Sequence, residues 1–61
     1  MKPVIQRESW LLQFADELRK RRPSMSLKFA YVIASNEWPR KQAVDPEEAA
    51  RLWVEETDKS G

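Results

Sequence analysis

Sixty-one residues containing neither cysteine nor histidine restrict the chemistry open to this chain. Without cysteine there is no disulfide to staple the fold, and with both soft ligand types missing a structural zinc site is excluded. The net charge is only +1, but residues 1–42 hold nine Lys/Arg against four Asp/Glu, and residues 43–61 hold two against six. Such asymmetry can steer a partner, or it can seat an acidic last helix on a basic surface made by the others.

A 41% hydrophobic content with three Trp and two Phe is enough for one compact core. A chain this short forms one domain and is only marginally stable by itself. The longest unbroken apolar run, Phe29 to Ala34, falls far short of the roughly 20 residues that span a bilayer. The first eight residues carry no apolar core of signal-peptide length. The expectation is one soluble cytoplasmic domain over residues 1–61, with 1–7 and 58–61 as loose ends.

The first helix is expected over about residues 8–21. Leu11, Phe14, Ala15 and Leu18 recur at helical spacing, flanked by Trp10 and Leu12. Asp16 precedes Lys20 and Glu17 precedes Arg21 by four residues, the favourable order on a helix. Ser9 is a candidate N-cap; with Pro3 as the first helical residue instead, Val4 extends the stripe. The run Arg19-Lys20-Arg21-Arg22 places positive charge at the negative end of the dipole. Pro23 then stops the helix, because the residue before it is pushed out of the α region.

A second helix follows over about residues 25–37, capped by Ser24 or Ser26. Met25, Phe29, Val32 and Ile33 fall on one side. Leu27, Tyr31, Ala34 and Trp38 fall on another, with Ala30 between and only Lys28 and Ser35 clearly polar. A helix apolar almost all round is ordinarily buried, so this one is expected at the centre with a partner on each side. Pro39 is expected to end it, leaving Glu37 to Val44 as a loop.

The third helix, about residues 46–57, has the clearest start. Asp45 is the N-cap, Pro46 the first helical residue, and Glu48 completes a capping box. Ala49, Ala50, Trp53 and Val54 form its apolar stripe, while Glu47, Arg51 and Glu55 lace the solvent face. No stretch alternates like a strand. The fold class is therefore all-α, a three-helix domain with the second helix central.

Catalysis has little to work with. The usual general base and the strongest nucleophile are both missing, and most carboxylates have a Lys or Arg one turn away, which argues against raised pKa values. No metal or cofactor is expected, and the chain reads as a non-enzyme. A basic helix lying on a membrane is disfavoured by the acidic residues on the first helix's polar face.

Two binding readings compete. In the first, Arg19, Arg21 and Arg22 join Trp38, Arg40 and Lys41 as a patch that contacts an unknown protein or a second copy, with Trp38 as an exposed anchor. The bland alternative, and the favoured one, folds Trp38 back onto the core and leaves the Arg19–Arg22 cluster as a solvated helix end. Trp53 is expected in the core, and Trp10 could lie in or out. In the second reading, a helix-turn-helix-like domain contacts nucleic-acid phosphates through the same basic residues. That reading is weakened because the central helix offers only Lys28, Ser35 and Asn36 to base edges, and the third helix would carry four glutamates towards a polyanion.

The pattern Trp10, Phe14-Ala15, Leu18, Arg22-Pro23, Lys28, Ala30, Ala34, Trp38, Asp45-Pro46, Ala49-Ala50 and Trp53 resembles small helical proteins of bacteria with no assigned function. The resemblance covers most of the chain and implies a stand-alone intracellular domain. It carries no activity, ligand or catalytic residue.

Overall fold

The structure, a computed structural model, describes residues 6–60. Three helices of equal length follow one another: α1 (Arg7–Arg21), α2 (Leu27–Lys41) and α3 (Pro46–Ser60). The all-α three-helix domain expected from periodicity is the fold.

Helix α1 begins at Arg7 behind Gln6, whose carbonyl accepts from Trp10 N at 2.9 Å while its side chain makes no cap. Ser9 is therefore inside the helix, where its hydroxyl accepts from Gln13 Nε2 at 3.1 Å. The alternative start at Pro3 with Val4 lies outside the described residues. At the other end, Arg22 closes the last turn by donating its N–H to Leu18 O, and its φ of −130° and ψ of 78° lie outside the α region, which a following proline disfavours.

Ser26, the second of the two candidate caps, starts α2: its hydroxyl accepts from Phe29 N at 3.1 Å. The helix does not stop before Pro39. It continues to Lys41, so Glu37 to Lys41 are helical and only residues 42–45 form the link. Pro39 leaves the Ser35 carbonyl without its usual donor, but this late in the helix the loss touches a single bond. Two attachments hold the final turn across it. Trp38 packs on Trp10, and Glu37 is ion-paired to Arg40 and Lys41, three and four residues on. Pro39→Ala restores one helical donor and removes the ring's steric conflict. It should stabilise the domain by about 1 kcal/mol, less than the roughly 3 kcal/mol seen for proline in mid-helix, raising the thermal midpoint by several degrees.

Asp45 caps α3 as expected, accepting from Glu47 N at 3.2 Å. Glu48 turns away from the cap and takes Arg51 Nε at 2.6 Å, so the reciprocal half of a capping box is not formed. The helix extends past Thr57 to Ser60, and Asp58, expected in a loose tail, pairs with Arg22.

The order of burial differs from expectation: α1, not α2, is the central helix. It packs against both of the others, which meet each other only weakly. Trp10, Leu11, Phe14, Ala15 and Leu18 are all completely buried. Their positions span an arc of α1 wide enough to face two neighbours. Helix α2 buries only Ala30, Ile33, Ala34 and Glu37. Its Leu27, Phe29 and Val32 stand out in solvent. An apolar residue on every side made α2 look buried, yet a helix at the edge of a two-layer packing has just one neighbour.

Candidate functional site

The six basic and aromatic residues singled out from sequence do not present a free patch. Arg19 is exposed and directs Nε at Met25 O, 3.4 Å away. Arg21 lies 3.4 Å from Glu17, and Arg22 pairs with Asp58 across to α3. On α2, Arg40 is 3.1 Å from Glu37, while Lys41 bridges Glu37 at 3.4 Å and Glu56 at 3.6 Å. Arg22–Asp58 and Lys41–Glu56 are the basic-to-acidic seating of the last helix that the charge asymmetry suggested. Each of the five cations thus has an acceptor within the chain. The exposed pairs among them, Arg21–Glu17 and Arg22–Asp58, add little stability, but all of them lower the charge a partner would meet.

Trp38 has turned inward. It is half-buried and meets Trp10 edge to face, with ring centroids 5.4 Å apart. Trp10 in turn stacks on Phe14 at 5.1 Å and donates its Nε1–H to Val44 O at 2.8 Å. Trp10, undecided from its place at the edge of the stripe, is therefore buried where α1, α2 and the link to α3 meet. Trp53, expected in the core, is only half-buried. It lines a shallow groove of about 330 Å³ together with Glu37, Arg40, Lys41, Glu56 and Thr57.

That groove contains the one feature of the interior that composition did not announce. Glu37 is 7% exposed, the only charged residue counted as buried among the described residues. Its two oxygens face Arg40 and Lys41, and Lys41 continues to Glu56. A small ligand would find these charges already matched to one another, so the groove is a polar seam between the ends of α2 and α3. Its contribution can be measured. Glu37→Ala removes the acceptor but leaves two cations behind, and should cost about 1–2 kcal/mol in urea denaturation. Glu37→Leu keeps the volume and should recover part of that loss.

On α3, Arg51 sits between Glu48 and Glu55. The hydrogen bond to Glu48, then the charges of Glu48 and Glu55, raise its pKa further above the ordinary arginine value. Arg51 stays charged throughout the accessible pH range in any case. Among the described residues there is no group of acidic side chains able to hold a metal ion, and no helix is long and apolar enough to cross a membrane.

What remains open is apolar. Phe29 is 56% exposed and Val32 50%. With the exposed Asn36 and Pro39 they recur at intervals of three, four and three residues along the outer face of α2. The arc contains no acidic residue, and its two cations, Lys28 and Arg40, lie at opposite edges. Leu27 is exposed at the start of the same helix, and Leu12 is exposed on α1. The spacing of residues 29, 32, 36 and 39 was visible in the sequence. What hid it was the equal apolarity of the opposite face.

Comparison with protein-family models, with curated proteins and with solved structures finds no match to this chain.

Proposed function

We propose that this chain is a non-enzymatic interaction module that docks a protein surface of low charge onto the outer face of α2. The observation that carries the reading is the half-exposed pair Phe29 and Val32, in a strip with charge only at its edges on a chain that is 34% charged. Large apolar side chains left in water on one continuous face are the ordinary mark of a surface that is covered in use. Three serviceable helices and a filled core leave the chain no internal need for these residues. A cytoplasmic setting belongs to the same proposal, in keeping with a chain that has no cysteine to oxidise.

Nucleic-acid contact through Arg19, Arg21, Arg22, Arg40 and Lys41 has less support. Each of those cations is spent on an acceptor of its own chain, and a polyanion would have to displace those acceptors before releasing counterions.

A photo-crosslinking residue in place of Phe29 tests the proposal against the same residue in place of Glu47 on α3. The expected result is a product of defined mass at position 29, either to another protein or to the chain itself. Excess unlabelled protein should compete it away, and excess Phe29→Asp protein should not. Equal labelling from the two positions would overturn the reading.

A further inference from the structure

We infer that the protein surface docked on the outer strip of α2 is acidic along one edge, the edge that meets Lys28 and Arg7, and uncharged where it covers Phe29 and Val32. This rests on the reading of that strip as a docking surface and names the chemistry of what it receives. Lys28 is exposed at the rim of the strip and, among the described residues, has no carboxylate to pair with. Arg7 reaches across from α1 and donates from Nη2 to Ser35 Oγ at 3.0 Å, a neutral acceptor. Ser35 is seven residues beyond Lys28, which places both on one side of α2. An ammonium and a guanidinium thus border the strip on the same side with their charge unmet.

The opposite edge is already balanced. Arg40 is paired with Glu37, so an incoming carboxylate there competes with an acceptor of the chain itself. This asymmetry selects what can cover the strip. An apolar or basic surface laid over the Lys28 edge strips water from two cations and returns nothing. A carboxylate opposite each one replaces the lost water with a charge-assisted hydrogen bond. Lys28 and Ser35 are two turns apart, about 10 Å along the axis. The partner's two carboxylates are then about 10 Å apart as well, the spacing of positions i and i+7 on a helix. Charges at an interface rim set partner choice and orientation more than affinity.

The probe is a stapled helical peptide of about 15 residues with a ridge of leucines. Along one edge it carries two glutamates seven residues apart, or glutamines or lysines at the same places. Binding is read by fluorescence anisotropy of the labelled peptide, with protein up to about 1 mM. The glutamate peptide should bind wild-type protein roughly three- to tenfold more tightly than the glutamine peptide, and more than tenfold more tightly than the lysine one. Arg7→Gln together with Lys28→Gln should level the glutamate and glutamine peptides. Lys28→Glu should close most of the gap between the glutamate and lysine peptides, and Arg40→Gln should leave the preference within about twofold. Phe29→Asp should abolish binding of all three.

Equal binding of the glutamate and glutamine peptides, both lost in Phe29→Asp, overturns the acidic edge and leaves the docking surface standing. A preference that survives the double substitution at Arg7 and Lys28, or that disappears with Arg40→Gln, overturns the choice of edge. A glutamate peptide that binds as tightly without its leucines is held by bare charge, which overturns the inference too. So does the absence of binding by any peptide; competed crosslinking at position 29 then decides the docking surface by itself.

Discussion

Trp10→Ala is expected to abolish the cooperative fold at 25 °C, with the helical signal at 222 nm falling most of the way to the denatured value. Trp10 is completely buried, and its indole joins α1, α2 and the link to α3. It stacks on Phe14 of α1, meets Trp38 of α2 edge to face, and donates to Val44 O in the link that launches α3. Truncating a large aromatic in a core costs about 3–5 kcal/mol. A domain of this size has a total stability of only about 3–9 kcal/mol at the usual per-residue value. The substitution therefore removes most of what there is. Trp10→Phe separates the two contributions. It keeps a ring against Phe14 and Trp38 but leaves Val44 O without its indole donor, and should cost about 1–2 kcal/mol, lowering the urea midpoint while preserving a single transition. A wild-type midpoint for Trp10→Ala would mean that the helices are held together elsewhere.

How much of this was legible beforehand depends on the residue. Asp45-Pro46 announces the start of α3 without ambiguity, because a cap and a pre-set φ act within three residues of each other. The stripe of α1 is equally plain, since polar residues occupy its other side. The end of α2 was misjudged because proline's local penalty is fixed, about one hydrogen bond and a steric clash, while its compensation comes from afar. Trp10 lies 28 residues from the Trp38 it anchors, and no local window contains both. The choice of central helix failed for a related reason. Hydrophobicity on all sides of α2 states what could be buried, not how many neighbours a 61-residue chain can supply. Three helices of one length cannot place every apolar face inside, and α1, whose buried residues face two neighbours, took the middle. The outer strip of α2 is the remainder of that competition, which is why the candidate site was hidden by the same feature that misplaced the helix.

The alanines of α3 lead to the second large effect. By hydrophobicity the weight of that helix's stripe lies in Trp53 and Val54, yet these are half-buried, and Ala49 and Ala50 are the ones completely enclosed. Pro46, also fully buried, continues the same contact line toward the helix start. Small side chains at this contact let the α3 backbone approach α1 closely, with Ala15 fully buried on the α1 side. Apolar volume added there has nowhere to go. Ala50→Leu, which raises hydrophobicity, should destabilise the domain by about 1–3 kcal/mol through overpacking. Trp53→Ala, which removes far more apolar surface, should cost less than the same truncation at Trp10, because the ring lies at the edge of an open groove. Thermal unfolding of the three variants gives the order: Trp10→Ala lowest, then Ala50→Leu and Trp53→Ala closer to wild type. If Ala50→Leu instead raised the midpoint, α3 would be packed loosely enough to accept a larger residue. The contact between α1 and α3 would then depend on area rather than on close fit. The two inter-helix ion pairs, Arg22–Asp58 and Lys41–Glu56, cannot substitute for that fit, being too exposed to contribute more than about 1 kcal/mol each.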